Sequence, residues 1–599
     1  MPSADSSPIR LGLVAALIGV AAPTALAGSS DGVFTVIGLP DTQRYSEQFP
    51  LVYVNQTTWV VDRLADLDIR FASHYGDIVQ HADRTEEWIN ADDAMDILDA
   101  AGVPQGVTSG NHDITANGGS GEPYIPENYL FWFGPDRYIG RPFFRESSAT
   151  GMSTWQVFDG GDREFIGLSV ECETPPSELA WAQGVLDRHR DKAVMFTTHR
   201  YLQDAEDYVG GVPVVPSGRY PDIWYTVEPP RQPFGIQANE LFEWFIRRNP
   251  NIFLVNCGHF HEEYRQTSTN VANLPVHEVL ADYQEDPNGG DGWLRIMEFN
   301  VPLGRIDVES YSPYLDQFRF TDESLFSLDV DFDRYRTLDG FAAFQNGING
   351  YDGTRDTWIN EDEPNTAYGE QDTRWSDDDT SNSIFTDRRG QSLIRFDDVF
   401  SEGVEPGRVP QDAKIRSATL VIDVAADIDN PFANPRFFVH PVLVPWQEDS
   451  TWNSLGGGLS EGVDIGGAIG QFLGDNVRDG DTMRRVDITG LVQSWSNGQP
   501  NWGIAILPEI ISGNDEGIEI WTSEFGNPLL RPRLEVTYEQ PAAPPTPDLN
   551  GDGIVNSADL GLLIAAWNQT GANAADLNLD GIVNSADLGL LISAWGPVG

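Results

Sequence analysis

The sequence predicts a chain of several domains. An α/β domain, in which a β-sandwich is flanked by helices, is followed by an all-β sandwich and then by a small α domain built on two acidic loops. Three observations predict this order. At 599 residues the chain is too long for one core. Five short blocks rich in Asp, Asn and His punctuate its first half, and three of them follow apolar runs that read as strands. A loop pattern near the C-terminus occurs twice.

The blocks come first. The run at 33–37 leads into Pro40-Asp41-Thr42-Gln43. Gly76-Asp77 and Gly110-Asn111-His112-Asp113 come next. Thr198-His199-Arg200 follows the run 194–196, and Gly258-His259-Phe260-His261 follows 252–255. Continuous β-branched and aromatic runs read as strands buried on both faces. Loops leaving such strands gather carboxylate, amide and imidazole groups at one edge of a sheet. That donor set suits a pair of divalent or trivalent metal ions such as Fe, Mn or Zn. Taken singly, each block is commonplace: Asp41 reads as a turn residue after Pro40, and His199 as an ordinary core histidine. The five in order carry the reading. Of the histidines outside the blocks, His81 and His189 read as surface residues. His74, near Asp77, and His277, near Asp282, read as candidates to support the site.

These blocks resemble the calcineurin-like metallophosphoesterases over residues 28–335. The likeness is greatest to a secreted bacterial subgroup with Asp-Thr-Gln in the first block, which also shares Leu280-Ala281-Asp282-Tyr283-Gln284 and Gly289-Gly290-Asp291-Gly292-Trp293-Leu294-Arg295. The resemblance implies that Asp41, Gln43 and His261 hold one metal, that Asn111, His199 and His259 hold the other, and that Asp77 bridges them. It implies that metal-activated hydroxide attacks a phosphate ester while His112 acts as general acid. Two departures from the commoner pattern stand out. Gln43 takes a position usually held by histidine, and an amide oxygen is a harder, weaker ligand than imidazole. Gln80 stands where many relatives place a residue that orients the catalytic histidine, so Asp113 and Asp83 become the candidates for that task.

The N-terminus reads as a secretory signal at 1–27. Arg10 supplies the charge, 11–22 the apolar stretch, and Ala25-Leu26-Ala27 the small-x-small cleavage site. The apolar stretch is too short to span a bilayer comfortably, and no later segment approaches transmembrane length. The formal charge is -55, with 92 acidic residues against 37 basic. No basic stripe exists to track a phosphate backbone, which excludes nucleic acid as a partner class. A phosphate substrate then depends on local attraction, by the metals and by Arg200 and Arg44. The run Asp377-Asp378-Asp379 reads as a solvated loop. The two cysteines, Cys172 and Cys257, follow apolar runs and read as buried thiols, although one disulfide is open to an exported protein.

Residues 340–538 hold short β-rich runs separated by Gly, Asn, Asp and Pro, the pattern of an all-β sandwich. Thr357-Trp358-Ile359, Ser392-Leu393-Ile394-Arg395-Phe396-Asp397, Thr451-Trp452-Asn453, Val486-Asp487-Ile488-Thr489 and Arg531-Pro532-Arg533-Leu534 resemble the secreted DNRLRE-type β-sandwich modules. Trp358, Trp375, Trp446, Trp452, Trp495 and Trp502 suggest a glycan platform, but tryptophan inside a sandwich is more often core.

Residues 539–547 read as a proline-rich extended linker. Beyond it, at 548–599, lies the repeat. Asp548, Asn550, Asp552, Asn556 and Asp559 place side-chain oxygens at loop positions one, three, five, nine and twelve, and Ile554 offers its carbonyl at seven. Asp576, Asn578, Asp580, Ile582, Asn584 and Asp587 repeat the set. This is the ligand spacing of a calcium loop, with glycine at the sharp turn of position six. The duplication, with aspartate last, resembles a type I dockerin. That implies two Ca2+ ions and a cohesin-like or cell-surface partner. A generic EF-hand pair is the alternative, although it would normally carry a helix before the first loop.

The expected function is therefore a secreted, extracellular or surface-bound dinuclear-metal phosphoesterase, attached through its C-terminal modules. The competing expectation is an extracellular binding protein for a glycan or cohesin partner, whose first domain is vestigial.

Overall fold

The structure is a computed structural model. It describes residues 32–119, 122–204, 206–209, 212–215, 217–221, 235–335, 339–377, 389–427, 436–474, 482–509, 517–540, 546–571, 573–578 and 580–597. The expected signal segment, Asp378 and Asp379 of the charge run, and most of the proline-rich linker lie outside them. Two compact units emerge. One runs to Arg336 and takes in Asn527–Leu530; the other comprises Thr337–Gly526 and Arg531–Gly599. No helix among the described residues is long and apolar enough to cross a membrane.

The first unit holds two 7-stranded sheets. In one, the strands Val33–Leu39, Ile69–His74 and Gln105–Val107 run parallel, and Leu294–Asn300 continues the sheet antiparallel. In the other, Arg163–Ser169, Ala193–Arg200, Ile252–Gly258 and Pro275–Asp282 run parallel. Phe34 and Phe71 of the first sheet meet Phe158 of the second, the Phe71 pair stacked at 4.7 Å between centroids. The sheets thus bury a shared aromatic layer, which accounts for strands that read as apolar on both faces. The outer face of the first sheet is covered by helices Pro50–Asp62 and Thr85–Ala101, through residues such as Tyr53, Val60, Trp88 and Leu98. The outer face of the second is covered by Pro176–Arg188 and Ala238–Trp244.

Parallel strands have one consequence that matters for function. They all leave their sheet at the same edge, so the loops after their C-terminal ends are neighbours. Asp41, Asp77 and Asn111 follow the three parallel strands of the first sheet. His199, His259 and Asp282 lie at or just past the ends of three parallel strands of the second.

The second unit is β-rich between 340 and 538. The long strand Ile415–Asp427 pairs with Arg533–Tyr538 and Met483–Asp487 along its first part, and with Gly517–Trp521 along its second. Leu420, Ile422, Phe437, Val439, Ile506, Ile520 and Leu534 form the buried core of this region. Of the six candidate tryptophans, Trp358, Trp446, Trp452 and Trp495 are buried and Trp375 and Trp502 half-buried, and the Trp446 indole N–H donates to the Trp502 carbonyl at 2.7 Å. The four buried rings pack in the core and offer no face to a sugar. Cys172 and Cys257 are buried free thiols in different core clusters.

Candidate metal centre

The site is built by loops cross-tied through hydrogen bonds. Thr42 N–H donates to the Asp77 carbonyl at 3.0 Å, and the Thr42 hydroxyl pairs with His74 Nε2 at 3.0 Å. His74 Nδ1 accepts from Gly76 N–H, so its proton sits on Nε2. Burial, reinforced by His199, pulls its pKa down to about 3 and keeps the ring neutral. His74 therefore supports the loops, as expected. His277 does not: it binds the Thr267 hydroxyl and the Asp329 carbonyl.

The glycines of the motifs have a steric cause. A Cβ on Gly110 would stand 2.1 Å from Asp77 Oδ1, and one on Gly258 would stand 2.0 Å from Asp41 Oδ1. Only glycine lets the backbone approach these carboxylates so closely. Asp77 and His259 themselves adopt φ of 48° and 78°, a left-handed conformation that is costly for residues with side chains and collects at functional sites.

Four donors converge. His199 Nδ1 donates to the Tyr75 carbonyl at 2.8 Å, which turns Nε2 inward. Asn111 Nδ2 donates to the Gly118 carbonyl at 3.0 Å, which turns Oδ1 inward. His199 Nε2 then lies 3.0 Å from Asn111 Oδ1, 3.3 Å from Asp77 Oδ1 and 3.3 Å from His259 Nδ1. His259 Nδ1 lies 2.7 Å from Asn111 Oδ1. Acceptor atoms brought this close need a ring N–H or a metal ion between them. The electrostatics agree. Burial opposes charge on His199, but Asp77 and the Tyr75 carbonyl outweigh it and hold its pKa above the ordinary value. Burial likewise opposes charge on Asp77, but His199 and His112 hold it below. His259 is driven well below the ordinary imidazole range by burial and by His199. Asp77, His199 and His259 form a group close enough to share one ion.

The other half of the expected ligand set is arranged differently. Asp41 and Gln43 are buried, and Asp41 Oδ1 and Gln43 Oε1 have no hydrogen-bond partner. Asp41 Oδ2 accepts from His259 N–H at 3.0 Å. Burial, then Asp282, then Asp77 raise the Asp41 carboxyl well above its usual range. His261 departs from expectation: it is exposed, with Nε2 3.7 Å from the Glu285 carboxylate. It is the last of the three turn residues between the strands Ile252–Gly258 and Glu262–Thr269, where the chain has left the buried edge.

His112 lies beside the converging donors, its backbone N–H donating to Asp77 Oδ1 at 2.9 Å. Its Nδ1 is 2.7 Å from the Gln80 carbonyl and 3.1 Å from the Gln80 side-chain amide. The carbonyl is acceptor only, so Nδ1 carries a proton and Nε2 is the exchangeable atom. The expectation that Asp113 or Asp83 would orient His112 is thereby corrected. Asp113 is buried and accepts from the backbone N–H groups of Gly110, Ile78 and Val79 at 2.7–3.0 Å. Burial, with Asp77 behind it, pushes its pKa up to about 8. It ties the second loop to the third and takes no place beside the imidazole. Both basic residues expected to attract phosphate are already paired, Arg200 with Glu173 and Arg44 with Glu47. Arg200 also lies over the Tyr220 ring at 4.0 Å.

At the C-terminus, two equivalent loops lead into helices Ser557–Ala565 and Ser585–Ser593. Gly553 and Gly581 take φ of 82° and 87° at the sharp turn. Asp548 accepts from the N–H groups of Gly551, Asp552 and Gly553, and Asp559 from those of Leu549, Asn550 and Asn556. In the second loop Asp576 accepts from Asp580 and Gly581, and Asp587 from Asn578 and Asn584. Backbone amides of each loop thus gather around its first and last carboxylates. The core beneath is small: Val555, Leu563, Ala575, Val583 and Leu591.

Residues 546–594 match the dockerin type I domain. An uncharacterized protein of Bacillus subtilis (strain 168), YvnB, is 29% identical over 311 residues, which is 50% of this chain and 22% of that protein. The chain therefore spans about a fifth of the length of that relative. Among solved structures, a purple acid phosphatase from yellow lupin (Lupinus luteus) seeds is 15% identical, with 52% of this chain and 56% of that one covered and a TM-score of 0.31. A dimetal phosphatase from Danio rerio is 12% identical, with 49% and 98% covered and a TM-score of 0.32.

Proposed function

We propose that the first unit is a metal-dependent phosphoesterase and that the C-terminal module attaches it to a cohesin-like partner outside the cell. The observation that carries the reading is the convergence of Asp77, Asn111, His199 and His259 on one buried point with their acceptor atoms inward. The unpartnered oxygens of Asp41 and Gln43 add a second set of acceptors. Both sets suit metal ions: neutral imidazole, amide and a shared carboxylate on one side, hard oxygen donors on the other. Two metal ions bound there would supply Lewis acidity and lower the pKa of water.

The chain's own groups divide the remaining work. Asp77 carries negative charge to both positions. His199 and Asn111 hold their ring and amide in place through Tyr75 and Gly118. Gln80 fixes His112 by its Nδ1 and leaves Nε2 to give a proton to the departing ester oxygen, a contribution of about 10²–10⁴-fold. The duplicated loops would hold Ca2+ through Asp548, Asn550, Asp552, Ile554, Asn556 and Asp559 and through their repeats, and the ion would offset the repulsion among those carboxylates.

The test is hydrolysis of an aryl phosphate monoester and an aryl diester by the full chain, before and after chelation and with Fe, Mn or Zn restored. Turnover that chelation removes and one of these metals restores supports the reading. A metal-replete protein that hydrolyses neither ester refutes it.

A further inference from the structure

The segment Leu280-Ala281-Asp282-Tyr283-Gln284 supplies none of the expected ligands, yet it ends at the same edge. Its strand runs parallel to Ile252–Gly258, with Cys257 opposite Leu280. Two residues on, Asp282 ends that strand at the edge where Ile252–Gly258 also ends, paired on its other side with Glu262, so it flanks the turn that carries His259. His259 N–H is the group that binds Asp41. Asp282 is fully buried, and Gln284 holds both its oxygens, by its backbone N–H at 2.9 Å and its side-chain amide at 3.0 Å. Asp41 Oδ1 lies against Gly258, the last residue of the neighbouring strand, where an added Cβ would stand 2.0 Å from it.

Three buried carboxylates, Asp41, Asp77 and Asp282, therefore stand together, and among the described residues none is in an ion pair with lysine or arginine. Independently, Asp41 Oδ1 and Gln43 Oε1 are buried acceptors without a partner. Buried acceptors without a donor, set among carboxylates that no lysine or arginine balances, call for a cation. His261, the imidazole expected there, is exposed beside Glu285.

We propose that Asp282 is a carboxylate ligand of the Asp41–Gln43 metal position, supplying the donor that Gln43 and the outlying His261 do not. This rests on the metal-centre reading above. It makes the two positions unequal. One is rich in carboxylate and suits a hard ion of high charge, whereas the Asn111–His199–His259 position is built of neutral donors and suits a borderline divalent ion.

The experiment is a Mn2+ titration of the chelator-stripped full chain, with Ca2+ kept saturating so that the C-terminal loops do not compete. Bound metal and the electron paramagnetic resonance spectrum are both read. The wild type takes two Mn2+ ions with a spin-coupled spectrum. In Asp282→Asn one ion binds as before and the other at least about tenfold more weakly, leaving the six-line spectrum of an isolated ion. Asp282→Glu, which keeps the charge, recovers part of the loss, and Gln43→His in the Asp282→Asn background recovers more. Should Asp282→Asn fail to fold, Gln284→Ala leaves the carboxylate without its holder and weakens the same ion. Two ions bound with wild-type affinity and coupling in Asp282→Asn, or in Gln284→Ala where it is the variant read, overturn the assignment alone. A wild type that binds no Mn2+ overturns the metal-centre reading with it.

Discussion

Gly258→Ala is a small perturbation with a large expected effect. Gly258 does not have a positive φ, so alanine costs little in backbone conformation. The cost is contact: the new methyl carbon would lie 2.0 Å from Asp41 Oδ1, where real contacts stay beyond about 3 Å. Either the carboxylate or the strand end must move by about 1 Å. The carboxylate is held on its other oxygen by His259 N–H, so relief on one side misplaces the other. A misplacement of that size at a reacting centre costs about 10²-fold in rate, or about 2.7 kcal/mol of transition-state stabilisation. The assay is kcat/KM for an aryl phosphate, alongside metal content and thermal midpoint. The expected result is a fold that survives, a rate down about a hundredfold, and weaker retention of one metal. A variant with wild-type rate and full metal content would show that Asp41 Oδ1 holds nothing.

Four further outcomes are expected. His112→Ala keeps its metals but loses far more rate on alkyl than on aryl esters, since a good leaving group needs no proton; equal losses on both would remove the acid role. Gln43→His alone leaves turnover intact and tightens metal retention under a competing chelator, because imidazole is the stronger ligand; weaker retention would exclude Gln43 as a donor. His74 is neutral in the fold, with a pKa of about 3 against an ordinary 6.5. Between those values the unfolded chain takes up a proton that the folded chain refuses, so this residue makes stability fall as pH falls through that window. His74→Gln flattens that slope in a thermal-midpoint series, and an unaltered slope would contradict the burial account. Withdrawing Ca2+ from the full chain frees amide exchange in Ser557–Ala565 and Ser585–Ser593, because their five-residue core is too small to hold them; protection that survives the chelator would refute calcium-coupled folding.

Much of the site was legible because it is written in side chains at strand ends. An apolar run followed by Asp-Thr-Gln, Gly-Asn-His-Asp or Gly-His-x-His states both where the strand stops and what chemistry follows. Backbone partners leave no such trace. The family pattern points to position 80, but there the Gln80 carbonyl, and not a carboxylate, orients His112, which no side chain announces. Asp113 stands next to His112 in sequence, yet the N–H groups of Gly110, Ile78 and Val79 converge on it instead. His261 keeps the motif spacing but has already left the buried edge. Asp282 is the converse, an aspartate among apolar neighbours whose burial depends on strand register that no local pattern discloses. The tryptophans of 340–538 show the same limit, since the residue type fits a core and a platform equally and only packing decides.

The central claim is a two-metal centre bridged by Asp77, and metal content measures it most directly. The full chain, purified without chelator and held in Ca2+, should carry two transition-metal ions per molecule. Asp77→Asn should lose both together while its thermal unfolding remains cooperative, because the amide removes the charge that both ions share. Two ions retained in Asp77→Asn, or a wild type that binds none, would contradict the account.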